Sequence, residues 1–155
     1  MAVNRLTDLF TVAGQSPWLD NLKREYIVNG DFARVLASGI RGLTSNPTIF
    51  QKAIQGSALY DDQFYESVQR GLSTEETYWE LVVSDIIDAL DIFGPLYVSS
   101  SGLDGFVSVE VSPGLAQDKD GTVAAAQELH DRIARPNVMI KVPATQACIP
   151  AIEEI

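Results

Sequence analysis

The feature that most constrains the fold is a repeated alternation: an apolar strand pattern is followed by a helical pattern four times along 155 residues. Strand patterns cover 16–22, 40–50, 105–114 and 136–145, and helical patterns cover 32–39, 57–71, 74–93 and 121–134, with a last helix from near Pro150. Parallel strands need a long crossover, usually a helix, whereas antiparallel strands are joined by short turns. The order therefore predicts a parallel α/β sheet, either doubly wound or a (β/α) barrel.

The segment after the first strand disfavours the doubly wound alternative. It reads WLDNLKR and lacks the spaced glycines that let a backbone approach the pyrophosphate of a dinucleotide. A (β/α) barrel is therefore the favoured architecture, and its active site is expected at the carboxyl ends of the strands.

Glycine, proline and capping residues set the expected helix ends. Gly39 ends the first helical pattern, and Ser73 with Glu76 has the spacing of a capping box for the helix that follows. Gly94-Pro95 is expected to end that helix, because proline lacks the amide hydrogen a helix needs. Asp120 is expected to cap the helix over 121–134.

Apolar and polar residues alternate along the strand patterns, and this alternation assigns each residue to one of the two faces of the sheet. One face is branched aliphatic and the other is mostly polar, with an ionisable residue near each carboxyl end. The aliphatic face holds Val107, Val109, Val111, Val138, Ile140 and Val142, and the other face holds Ser108, Glu110, Ser112, Met139 and Lys141. An open parallel sheet covered on both sides would be apolar on both faces. The second face is therefore expected to be the inner face of a barrel.

Lys141 is the residue on this face with the most distinctive chemistry. Adjacent strands are about 4.8 Å apart, so Glu110 and Lys141 are expected to share one pocket, with Asp20 and Asn46 at the same mouth. A lysine among apolar neighbours loses hydration of its ammonium, which favours a neutral amine that can form a Schiff base with a carbonyl. An ionised Glu110 would oppose this effect, and the sequence leaves the balance open.

Each candidate also has a structural interpretation. Lys141 could reach past its apolar neighbours into water, and Glu110 could serve only as its ion-pair partner. Asp20 could cap a helix beginning at Asn21, and Asn46 could simply form a turn before Pro47. No cluster of histidine, cysteine and carboxylate residues has the spacing of a metal site, so no metal is expected.

Composition excludes several functional classes. The net charge of −10 makes nucleic-acid binding improbable, because a phosphate backbone is bound by a basic surface. No apolar run approaches the roughly 20 residues of a membrane helix, and the N-terminus has no signal-peptide pattern. The single cysteine, Cys148, permits no internal disulfide. We therefore expect a cytoplasmic protein.

Four motifs resemble those of the transaldolase family over essentially the whole chain: LDNL with Asp20, GLTSNPTIF with Asn46, VSVEVSP with Glu110, and VMIKVPAT with Lys141. The resemblance implies a class I aldolase-type TIM (β/α)₈ barrel of the pentose phosphate pathway. Such enzymes transfer a dihydroxyacetone unit from a ketose phosphate to an aldose phosphate, without metal or organic cofactor.

The resemblance also implies a role for each matching residue. Lys141 would form the Schiff base, Glu110 would act through a catalytic water, and Asp20 would assist carbon–carbon cleavage. Asn46 would contact the dihydroxyacetone unit, and Thr44 and Ser45 of the same motif are further candidate substrate-binding residues.

The length of the chain limits how much of a barrel it can form, because a full barrel takes about 250 residues. Residues 1–155 are expected to be a single partial barrel of about four β/α units, the N-terminal half of a longer bacterial-type transaldolase, truncated at its C-terminus. The family's substrate-phosphate arginine belongs to the later strands. Two alternatives remain: a class I fructose-6-phosphate-type aldolase, and an inactive half-barrel that acts only by association. Expected partners are sugar phosphates, and either a second copy or the missing half.

Overall fold

The computed structural model describes residues 4–155 as a four-stranded sheet with helices between consecutive strands. The strands are β1 (Trp18–Asp20), β2 (Gly42–Thr44), β3 (Phe106–Glu110) and β4 (Val138–Lys141). The helices are α1 (Arg5–Ala13), α2 (Arg24–Val28), α3 (Asp31–Ala37), α4 (Pro47–Gln55), α5 (Asp61–Gln69), α6 (Thr74–Ser99), α7 (Lys119–Ile133) and α8 (Ile149–Glu154). Short 3₁₀ turns cover Ala58–Tyr60 and Pro113–Leu115.

The sheet confirms the predicted parallel α/β architecture. Its strands lie in the order β1-β2-β3-β4, and each pairs in parallel with the next. A doubly wound sheet reverses its strand order at a switch point, whereas a barrel adds strands in sequence order. The observed order is that of one half of a (β/α)₈ barrel.

One face of the sheet packs under the helices, as the strand alternation predicts. Val107, Val109 and Val111 are buried, with at most 3% of each residue exposed. They pack in one cluster with the apolar faces of α3, α6 and α7, including Phe32, Ile86, Leu90, Phe93, Leu129 and Ile133. Burying these side chains fixes which face of each strand points away from the helices.

The opposite face is open. Trp18 is 36% exposed and Met139 is 41% exposed, although both are large apolar side chains. The indole of Trp18 lies directly over Gly42, its partner in the register, where any Cβ would collide with the ring. This face corresponds to the interior of a barrel.

The prediction that Gly94-Pro95 ends a helix is wrong, because α6 continues to Ser99 with Pro95 inside it. Proline removes one helical hydrogen bond, but Pro95 lies on the exposed side, where water can reach the freed carbonyl. Gly94 has no Cβ to clash with the proline ring. The capping box formed by Ser73 and Glu76 at the other end of α6 is confirmed.

Other boundaries also differ from those predicted. The cap of α7 is Asp118, whose Oδ1 accepts a hydrogen bond of 2.9 Å from the Gly121 amide, and not Asp120. The strand expected over 40–50 ends at Thr44, and the following residues form α4. Helices α1 and α4 were not expected from the sequence pattern, and α2 begins at Arg24, three residues after the start considered at Asn21. None of the helices in residues 4–155 combines the length and apolar character needed to cross a membrane.

A buried polar network fastens the loop after β1 to the helical layer. Asp85 on α6 is fully buried, and it accepts bonds of 2.7 Å from Arg24 Nε and from the Tyr60 hydroxyl. Arg24 also donates to the carbonyl of Leu59 and to Gln63, and its guanidinium stacks 4.2 Å from the centre of the Tyr60 ring. Burial, and then the charge of Asp85, raise the pKa of Tyr60, so its hydroxyl remains a donor.

We expect Asp85→Ala to lower the free energy of unfolding by about 3–5 kcal/mol, because it leaves Arg24 largely buried without its counter-ion. The matched control is Asp91→Ala, which breaks an exposed ion pair with Arg135 and should cost far less. Urea unfolding monitored by circular dichroism measures both. Equal losses in the two variants would contradict a special role for the buried network.

Candidate active site

The parallel register places an amine and a carboxylate side by side on the open face. Glu110, the last residue of β3, pairs with Lys141, the last residue of β4. Lys141 Nζ lies 2.5 Å from Glu110 Oε1, and the two side chains are 36% and 34% exposed. The structure thus brings these two predicted site residues together at the carboxyl end of the sheet. Lys141 is partly hydrated and ion-paired there, and its ammonium is not enclosed by apolar groups.

A second contact holds the amine of Lys141 from β2, which lies on the far side of β3 from β4. Lys141 Nζ donates to Thr44 Oγ1 at 3.1 Å, and Ser108 Oγ donates to the same oxygen at 3.0 Å. A hydroxyl oxygen can accept two bonds and donate one, so the hydrogen of Thr44 is left for another acceptor. Ser108 was not among the predicted site residues, although the strand alternation places it on the correct face.

Asp20 and Asn46 line an open cavity of about 560 Å³ together with Glu110. Asp20 ends β1 and pairs with Thr44 in the register, so it lies on the same face. The interpretation of Asp20 as a helix cap is wrong, because α2 begins at Arg24 and its cap position is Lys23. Three of the four polar residues predicted for this mouth therefore line one cavity. Lys141 lies beside that cavity, where its ammonium contacts Glu110.

Asn46 has a structural role that also orients it. Its Oδ1 accepts a 3.0 Å bond from the amide of Ile49, which caps the start of α4. Its side-chain NH₂ has no hydrogen-bond partner within residues 4–155, which leaves two donors available to a ligand in the cavity. The cap and the cavity therefore use opposite ends of one amide.

Ser45 is the predicted site residue that the structure does not bring to this face. It is fully buried, and its hydroxyl donates a 2.8 Å bond to the Ser108 carbonyl. Alternation along β2 turns Ser45 toward the helices and Thr44 toward the open face. Its bond ties the end of β2 to β3, which supports the position of Thr44.

Besides Ser108, two further residues near the mouth were not predicted from the sequence. Lys52 of α4 lines the cavity with Asp20 and Glu110, and only a prediction of α4 would have placed it there. Tyr78 of α6 lies close enough to Glu110 to feel its charge. Burial of the phenol, and secondly the negative charge of Glu110, raise the pKa of Tyr78 to about 12. Its phenol therefore stays protonated at neutral pH and adds no further negative charge beside Glu110.

The arrangement offers a nucleophile, a proton acceptor and polar side chains that can bind a substrate. Across residues 4–155 no group of three or more histidine, cysteine or carboxylate side chains is placed to hold a metal ion. The amine of Lys141 can attack a carbonyl once it has lost a proton, and Glu110 is within hydrogen-bond distance to accept that proton. Asp20 and the amide of Asn46 can contact hydroxyl groups of the same bound molecule.

The chain is similar to proteins of one established family. The sequence model of the family described as Transaldolase/Fructose-6-phosphate aldolase matches residues 17–155. A protein named Transaldolase 2 from Nostoc sp. is 43% identical over 100% of this chain and 41% of its own length. Transaldolase from Neisseria gonorrhoeae is 48% identical over 92% of this chain and 40% of its own length. The chain therefore spans about two fifths of the length of these curated relatives.

Proposed function

This chain belongs to the Transaldolase/Fructose-6-phosphate aldolase family, and we propose that Lys141 is the Schiff-base nucleophile of a transaldolase-type reaction. In this reaction a dihydroxyacetone unit passes from a ketose phosphate to an aldose phosphate. The observation that carries the proposal is the 2.5 Å distance between Lys141 Nζ and Glu110 Oε1 at the carboxyl end of a parallel sheet. An amine with an adjacent proton acceptor is what imine formation requires.

The first stage joins the amine of Lys141 to the ketose. Glu110 accepts a proton from the ammonium, the neutral amine adds to the ketone carbon, and one proton passes from the nitrogen to the carbonyl oxygen, which becomes a hydroxyl. Glu110 then returns a proton to that hydroxyl, directly or through a water, and it leaves as water to give a protonated imine. Thr44 holds the amine in place and can donate its free hydrogen to the oxygen that develops there.

The second stage breaks and remakes a carbon–carbon bond. The protonated imine withdraws the electron pair of the carbon–carbon bond β to its nitrogen. Asp20 accepts the proton of the hydroxyl on the departing carbon, and that carbon leaves as an aldehyde. The enamine left on Lys141 then attacks the aldehyde of the acceptor, and Asp20 returns its proton to the aldehyde oxygen, which becomes a hydroxyl. Hydrolysis of the imine by water releases the product and restores the amine of Lys141. Asn46 donates its free NH₂ to hydroxyls of the bound unit.

The same intermediate on Lys141 would serve a fructose-6-phosphate aldolase, which the description of the matching family also names. Such an enzyme would release the dihydroxyacetone unit instead of transferring it to an aldose phosphate. The two relatives described above are both named transaldolases, which favours transfer as the first proposal.

Borohydride trapping tests the role of Lys141. Reduction of the chain with fructose 6-phosphate should leave a stable adduct on Lys141 alone, because borohydride converts an imine into a secondary amine. Peptide mass spectrometry locates the adduct among Lys23, Lys52, Lys119 and Lys141. We expect Lys141→Met to abolish trapping and Glu110→Gln to slow it by at least about a hundredfold, the lower end of what general acid–base catalysis contributes.

The matched control is Lys119→Met. Lys119 pairs with Glu154 at 2.5 Å, the same ion-pair distance as that of Lys141, but it lies on α7 outside the sheet. Trapping should be unchanged in this variant. An adduct on Lys119, or none on Lys141 in a polypeptide that also contains the remaining strands of the family, would refute the proposed nucleophile.

We also propose that the open face makes this chain associate with itself. Strands β1 and β4 each have one neighbour and therefore present an unpaired edge. Trp18 and Met139 are exposed on the open face, and α8 exposes Ile149 and Ile152. Covering these side chains removes apolar area from water, which favours association.

Light scattering of the purified 155-residue chain measures this association. We expect a dimer or larger species at micromolar concentration. Replacing Trp18 by Ser and Met139 by Ser should shift the chain toward monomer, because both exposed side chains lose their apolar surface. A stable monomer of the unsubstituted chain at that concentration would contradict the proposal.

A further inference from the structure

A second cleft lies beside the mouth of the candidate active site. It is bounded by the start of α2, by α4 and by the 3₁₀ turn Ala58–Tyr60, and its volume is about 240 Å³. Lys23 and Lys52 both line it, and Lys52 also lines the mouth with Asp20 and Glu110. One lysine is thus shared between the cleft and the mouth.

The two lysines of this cleft are unusual in this chain because they lack ion-pair partners. Eight of the 11 basic residues pair with carboxylates: Arg24, Arg34, Arg41, Arg70, Lys119, Arg132, Arg135 and Lys141. Within residues 4–155 the three without such a partner are Arg5, Lys23 and Lys52. Glu25 also lines the cleft but pairs with neither lysine. A chain of net charge −10 thus leaves two cations unneutralised at one place.

The contacts of Lys23 leave its ammonium free to donate. Its Nζ lies 5.6 Å from the centre of the Tyr26 ring, a cation–π contact that orients the side chain without using its hydrogens. Lys52 makes no side-chain hydrogen bond within the described part of the chain. Each ammonium therefore offers three donors, and ammonium groups bind phosphate as point charges.

Cations at this place would strengthen the binding of a phosphorylated ligand. Asp20 and Glu110 face the mouth, and their carboxylates repel an approaching dianion. A cation on the rim offsets that repulsion and raises the local concentration of anions. Lys52 stands between the mouth and the cleft, so it can act on a phosphoryl group while the rest of the molecule lies in the mouth.

We propose that Lys23 and Lys52 form a rim subsite for the phosphoryl group of a sugar phosphate that approaches Lys141. The sugar part of this inference rests on the proposed function. The subsite is separate from the phosphate arginine that the family resemblance assigns to later strands, which lie outside this chain. Its effect is on capture of the charged substrate, and the chemistry at Lys141 does not require it.

The direct test is calorimetric titration of the 155-residue chain with inorganic phosphate at low ionic strength. We expect Lys23→Gln and Lys52→Gln each to weaken phosphate binding about fivefold, and the double variant about thirtyfold. The matched control is Arg5→Gln, which removes the third basic residue that lacks an ion-pair partner. Arg5 lies on α1, and Asn4 next to it donates to the carbonyl of Ser38, just before β2, at the opposite end of the strands from the cleft. Equal weakening by Arg5→Gln, or no binding by the unsubstituted chain, would overturn the subsite.

A second readout separates the subsite from the reaction. The double variant should slow borohydride trapping with fructose 6-phosphate severalfold and leave trapping with uncharged dihydroxyacetone within about twofold, because only the phosphate meets the lysines. Equal slowing with both ligands would overturn the proposal. Phosphate binding that depends on Lys23 and Lys52, without any trapping at Lys141, would keep the anion subsite and refute the proposed reaction.

Discussion

The pairing register between β3 and β4 is the constraint on which the site depends. It sets Glu110 opposite Lys141, and alternation along each strand turns both side chains to the open face. A slip of one residue would bring Val111 or Val109 opposite Lys141 and would turn one of the two groups under the helices. The 2.5 Å contact between amine and carboxylate therefore follows from backbone pairing and not from any local motif.

The helical layer is what makes that register the stable one. The aliphatic side chains of β3 are buried against α6 and α7, so a shifted strand would expose them and bury charge instead. The fully buried hydroxyl of Ser45 adds a 2.8 Å bond from the end of β2 to Ser108, next to the layer that holds Lys141. Arg24 and Asp85 fasten the loop that follows Asp20. The candidate active-site residues thus lie on the exposed face of a sheet whose other face is a well-packed core.

The sequence predicted the parts of the structure that a periodic pattern encodes. Alternation in β3 and β4 placed Glu110 and Lys141 on one face, and the strand–helix order predicted the parallel sheet. It did not predict α6 beyond Pro95, because tolerance of proline depends on which side of the helix meets water. The cleft of Lys23 and Lys52 was also missed, since two residues 29 positions apart come to line one cleft only because the turn Ala58–Tyr60 packs against both α2 and α4.

The most direct test of the central claim is a crystal structure of the chain after borohydride reduction in the presence of dihydroxyacetone. We expect continuous density from Lys141 Nζ to the ligand, on the open face and within hydrogen-bond distance of the Glu110 carboxylate. Density on another lysine, or a Lys141 side chain turned toward the helices and away from Glu110, would contradict it.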